Sequence, residues 1–154
     1  MKTSKHILIT IVLMALSHLL YSQTNSRTIT LTCNTAIINS SNFNNHSVCN
    51  FGQPSSISNE DYLEQVQRGT AITWEGMSSS DPNDEVNILW IKKDGRNNFF
   101  NKRKIRGDGQ PNEKVRATVS KGDEGQEMKY AIKFKVKRGG STVGNFVIDP
   151  KLQI

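Results

Sequence analysis

From Arg27 onward, apolar positions alternate with polar ones in short runs separated by clusters of Gly, Pro, Asn and Asp. A period of two is the pattern of strands with one face buried. Residues 27–33 place Ile29, Leu31 and Cys33 on one face, and an Asn/Ser-rich loop follows. Residues 62–66 are ambiguous between a strand and one helical turn. After a turn at Arg68-Gly69, residues 70–75 put Ile72 and Trp74 on the same side. Residues 76–84 read as a loop, because they hold three consecutive serines and Asp81-Pro82-Asn83-Asp84. Residues 85–92 carry Val86, Ile88 and Trp90 on one face and Leu89 and Ile91 on the other, which predicts a strand covered on both sides. Residues 113–120 point Val115, Ala117 and Val119 inward. The cleanest alternation runs over 128–137, where Met128, Tyr130, Ile132, Phe134 and Val136 interleave with Lys129, Ala131, Lys133, Lys135 and Lys137. A Gly-Gly turn leads into a last strand over 142–148, and residues 149–154 close the chain. The pattern predicts burial of Trp74, Trp90, Ile132 and Phe134. About seven strands without an amphipathic helix predict one all-β domain, an antiparallel two-sheet sandwich of immunoglobulin-like or cupredoxin-like type.

Residues 1–22 stand outside this pattern. Lys2 and Lys5 precede an apolar run over 7–16, and a polar, small-residue exit follows at Tyr21-Ser22-Gln23. That order predicts a secretory signal peptide cleaved after Ser22, with an apolar run too short to span a bilayer. No cysteine follows the run closely, so no lipid anchor is expected. The chain is then exported, to the periplasm or beyond, with its domain over 23–154 and no stable membrane span. Export changes the reading of Cys33 and Cys49, the only cysteines: an oxidising compartment predicts a disulfide that ties the loop between them.

Composition narrows the chemistry. The 154 residues are 35% hydrophobic and 22% charged, with a net charge of +6, which suits one mildly basic globular domain. Loss of Lys2 and Lys5 leaves 18 basic against 14 acidic side chains, +4. Of three histidines only His46 lies beyond residue 22, so a Ser-His-Asp or Cys-His arrangement depends on one residue in an Asn-rich loop. The run Gly76-Met77-Ser78-Ser79-Ser80 misses the G-x-S-x-G elbow at its last position. The pairs Asp84/Glu85 and Asp123/Glu124 sit in hydrophilic turns. No enzyme activity and no cofactor are expected. Residues 66–74 look like the opening of a copper-protein sandwich, yet a blue-copper site needs a second histidine. Asp81, Asn83, Asp84 and Glu85 cluster without matching a calcium loop, so no metal site is expected.

Charge is the strongest local anomaly. Lys92, Lys93, Arg96, Lys102, Arg103, Lys104 and Arg106 fall within one segment opposed by Asp94 alone, with Phe99-Phe100 in its middle. Joined by the lysines of 129–137, such a surface attracts polyanions such as acidic polysaccharide, lipopolysaccharide or nucleic acid. The competing reading is a set of solvated lysines that protect strand edges. A polyanion or a protein partner is therefore expected, and the sequence leaves the oligomeric state open.

Cys33-Asn34-Thr35-Ala36, Cys49-Asn50-Phe51-Gly52-Gln53-Pro54, Ile57-Ser58-Asn59-Glu60-Asp61, Ile72-Thr73-Trp74-Glu75-Gly76 and the ending Phe146-Val147-Ile148-Asp149-Pro150-Lys151-Leu152 resemble a group of small exported flavobacterial proteins. The resemblance spans essentially the whole exported chain, and Tyr21-Ser22-Gln23 is similar to a Bacteroidota-type signal ending. The Phe-x-x-Asp-Pro ending also resembles, over roughly the last thirty residues and one earlier strand, the bacterial inclusion-body protein family. Neither resemblance implies catalytic residues. The second implies a structural or self-assembling protein that associates through strand edges, as the alternative to a polyanion-binding module.

Overall fold

The computed structural model describes residues 25–154, so the expected signal segment and its cleavage point lie outside the described residues. The described residues form ten strands: β1 (Ser26–Cys33), β2 (Cys49–Asn50), β3 (Leu63–Gln65), β4 (Ala71–Ser78), β5 (Glu85–Asp94), β6 (Lys104–Arg106), β7 (Val115–Thr118), β8 (Glu127–Arg138), β9 (Ser141–Ile148) and β10 (Lys151–Gln153). One sheet has the order β2-β1-β4-β7. The other has the order β3-β10-β8-β5-β6, with β9 also on β8. This is the expected single-domain sandwich. Its sheets are mixed, because β1 pairs with β4 and β3 with β10 in parallel. A parallel pair needs a long crossover in place of a hairpin, and residues 34–70 supply it between β1 and β4. The ambiguous segment 62–66 resolves as β3 because it finds a partner in β10. The segment read as a loop from Gly76 starts three residues later, since β4 runs on to Ser78.

The alternation in β8 translates directly into burial: Met128, Tyr130, Ile132, Phe134 and Val136 are all buried. They meet Ile29, Leu31, Ile72 and Trp74 from the other sheet in one continuous core. Trp74 joins the layers, its indole N–H donating to the Tyr130 hydroxyl at 3.1 Å. That bond satisfies two polar atoms that burial would otherwise penalise.

Cys33 and Cys49 are bonded and stand opposite each other in the β1–β2 pair. The loop they close hydrogen-bonds to itself, which explains its Asn/Ser content. The side chains of Asn39, Asn42 and Asn45 accept from the amides of Ser41, Asn39 and Ser47 at 2.8–3.0 Å. The same loop sends Phe43 onto Phe146 of β9, with ring centroids 5.3 Å apart.

β5 departs from expectation. Ile88 pairs with Phe134 and Trp90 with Lys133, so Leu89 is an extra residue opposite no partner. A bulge of one residue reverses the facing of everything beyond it. Val86, Ile88 and Ile91 are therefore buried, whereas Trp90, expected in the core, turns to the outer face and is half-buried.

A cation-aromatic face as the candidate binding site

Residues directly opposed across paired strands share a face. Arg106 on β6, Trp90 on β5 and Lys133 on β8 thus form one row on the outside of the second sheet. Lys104, Lys92 and Ala131 form the row beside it, and Val147 of β9 continues the first row. The Lys104 ammonium lies 4.5 Å from the centre of the Trp90 ring, within cation–π range. Partial desolvation, followed by the charges of Arg106, Lys92 and Lys133, holds its pKa below that of an ordinary lysine. Three cations crowd a fourth over an aromatic ring.

The loop bearing the remaining cations is fastened from within. Phe99 and Phe100 are buried, and Phe100 meets Trp74 edge-on at 5.7 Å. Phe99 O accepts from the Ser120 amide at 2.8 Å, and Asn97 Nδ2 donates to Glu127 O at 2.7 Å. Gly122, at φ +106°, runs so close that a Cβ there would lie 2.8 Å from the Phe99 ring. Packing therefore anchors the middle of the basic segment, residues 97–100, to the core.

The structure gathers only part of that segment. Lys92, Lys104 and Arg106 share the outer face. Lys93 lies on the opposite parity, opposite Tyr130, and its ammonium donates to Gly95 O and Arg96 O at 3.1 and 3.2 Å. Arg96, Lys102 and Arg103 remain exposed on the connecting loop. The face gains Lys133, already visible in the β8 alternation, and Trp90, which sequence reasoning placed inside. Among the described residues, Lys114, Arg116, Lys137 and Lys151 are tied to Glu75, Asp108, Glu85 and Asp61. Lys92, Lys104, Arg106 and Lys133 make no such ion pair.

Other candidate groups are engaged elsewhere. Asp81 accepts from the Asn83 amide at 2.8 Å, and Asp84 accepts from the Thr35 hydroxyl at 2.6 Å and from the Gly139 amide at 3.0 Å. Glu85 accepts from Asn87 and Lys137. Asp84 and Glu85 thus tie the loop to distant parts of the fold, whereas Asp81 and Asn83 bond to each other. Thr35 O in turn accepts from Arg138, which clasps the cystine loop to the β8–β9 turn. His46 Nε2 donates to Gln53 O at 2.8 Å, and Asp123 accepts from Gln126 at 3.0 Å.

A polar cleft of about 1330 Å³ opens near β3 and the start of β1, lined in part by Arg27, Glu64, Gln67 and Arg68. The buried Glu64 carboxylate is held by Arg27 on one oxygen and by the Tyr62 hydroxyl on the other. Burial and that hydrogen bond raise the pKa of the Tyr62 phenol. Both carboxylate oxygens are occupied within the protein itself.

No protein-family model matches the sequence, and neither does any curated protein. Among solved structures, the chain is similar in fold to the crystal structure of an inclusion body protein, PixA, from Burkholderia cenocepacia J2315. The two superpose with a TM-score of 0.60 over 87% of this chain and 98% of that one, at 14% sequence identity.

Proposed function

We propose that this protein is an exported, non-catalytic binding module whose second sheet takes polyanions on its outer face. The disulfide supports an oxidising compartment. The observation that carries the ligand class is the convergence of Lys92, Lys104, Arg106 and Lys133, without acidic partners, around Trp90. Cations held on paired strands keep a fixed spacing, so a chain of phosphate, sulfate or carboxylate groups meets several at once. The half-buried ring beside them offers a stacking surface to a sugar or base once Lys104 turns toward an anion.

The test is binding of heparin and of duplex DNA by the disulfide-intact protein across a salt series. Changing Lys92, Lys104 and Lys133 to Ser should weaken binding and flatten the dependence of log K on log salt. For duplex DNA the slope should fall by roughly 0.9 for each phosphate that is no longer neutralised. Trp74 is buried, so a change of tryptophan emission on binding should vanish in Trp90→Phe. An unchanged slope in the folded triple variant rejects this reading.

A second reading is self-association, which the fold shared with an inclusion body protein and a free strand edge support. Sedimentation over a wide range of protein concentration tests it directly.

A further inference from the structure

We infer that β9 is a self-pairing edge, through which two copies of this chain join their second sheets antiparallel. The inference deepens the self-association reading and rests on it. β9 bonds to β8 along one side. Among the described residues its other side makes no main-chain hydrogen bond. The other edges are short or charged: two residues in β2 beside the disulfide, residues 26–31 of β1 beyond β2 with Arg27, three in β3 with Glu64, three in β6 with Lys104 and Arg106, four in β7 with Arg116. β9 has eight residues, and from 139 to 148 the chain carries neither a charge nor a proline. Charged side chains and prolines are the usual means of blocking a strand edge. One blocking device is present: Val143 is an extra residue between the Val136–Gly144 and Lys137–Thr142 pairs. That bulge sits at the hairpin end and leaves residues 144–148 straight.

This straight stretch is ordered before any partner arrives. Phe146 is fixed from inside by Phe43 and Phe134, with centroids at 5.3 and 5.4 Å. Its ring lies across Gly144, where a Cβ would come within 2.8 Å. Little conformational entropy remains to be lost on pairing. The side chains flanking the free edge on its outer face are Asn145 and Val147, the latter 41% exposed. With no charge to select an acidic or basic peptide, the edge best complements its own sequence. A two-fold axis at the middle of the strand sets Asn145 opposite or diagonal to the same residue of the second copy, beside the valines.

Charge and area set how strong the association is. The β8 lysines of the two copies stand three strand spacings apart, about 14 Å. That exceeds the Debye length of about 8 Å at physiological ionic strength. Repulsion between the copies is therefore already screened at that ionic strength, and further salt leaves this association nearly unchanged, whereas it weakens polyanion binding. A pairing of so few residues buries far less than the ~1,200 Å² of a stable interface, so the dimer forms reversibly at high concentration.

The experiment is sedimentation velocity on the disulfide-intact protein, with Asn145→Lys and Asn145→Glu studied singly and as an equimolar mixture. Wild type should dimerise with concentration, and nearly alike from physiological salt upward. Each single variant should associate at least tenfold more weakly, and the mixture should regain the dimer, because opposite charges then face each other. Thr28→Lys, on the outside of the first sheet, should behave as wild type. If wild type dimerises and both Asn145 variants match it, the edge assignment fails while self-association stands. If wild type stays monomeric at every concentration and salt level, both fail.

Discussion

Asp149 occupies the corner where β9 leaves the edge of β8 and β10 takes it over; there the Tyr130 amide donates to Pro150 O at 3.1 Å. Burial raises its pKa, Asp94 and Glu60 act in the same direction, and Lys129 partly offsets them. A carboxylic acid whose folded pKa lies above its unfolded value holds its proton more tightly when folded. It therefore costs stability as pH rises through the carboxylate range, and at pH 7 the cost is fully present. Asp149→Asn should raise the Tm at pH 7 and lose that advantage near pH 3, as thermal melts at the two values will show. Asp84 and Asp108 have the opposite sign. Hydrogen bonds from Thr35 and Arg116 respectively lower their pKa values, so their contribution is present at neutral pH and disappears as pH falls. None of these roles is visible in sequence. Asp84 reads as one acid among several in a turn, and only the fold brings Thr35 and Gly139 to it.

At the scale of elements, β8 was fully legible and β5 was not. Five apolar residues at strict period two leave one facing for β8, and the core accepts all five. Phe134 is wholly buried between Ile88 and Phe146, so Phe134→Ala should cost about 3–5 kcal/mol in urea unfolding. A loss below about 1 kcal/mol would mean that the site collapses around the gap. In β5 the run Val86-Asn87-Ile88-Leu89-Trp90-Ile91 is apolar on both parities, and period two alone cannot say where an extra residue sits. Trp90 was misplaced for that reason, and with it the centre of the candidate face. The cystine was legible from the cysteine count together with the expectation of export. Its bond closes the loop that carries Phe43 onto β9, so reduction should lower stability by about 2–4 kcal/mol and speed proteolysis within residues 34–48. Equal melts of the oxidised and reduced protein would assign it no stabilising role.

For the whole molecule, one sheet presents two surfaces with different responses to salt: a cationic outer face and an uncharged edge. The two tests therefore separate cleanly, since added salt releases a polyanion and leaves the pairing of copies nearly unchanged. By itself the sequence determined the all-β class, the two-sheet sandwich, the disulfide and the inward residues of β1, β4 and β8. Each of these follows from local periodicity, or from a count of two cysteines. It also marked a basic segment, because charge density along a chain needs no fold to be read. Tertiary structure decided which cations act together. Lys92, Lys104, Arg106 and Lys133 come from three strands and meet through cross-strand register, which a one-residue bulge resets. It decided likewise that β1 and β4 run parallel and that β9 is left with a free edge. Pairing partners are chosen by contacts between segments distant in sequence, and nothing in a strand's own alternation records which neighbour it will find.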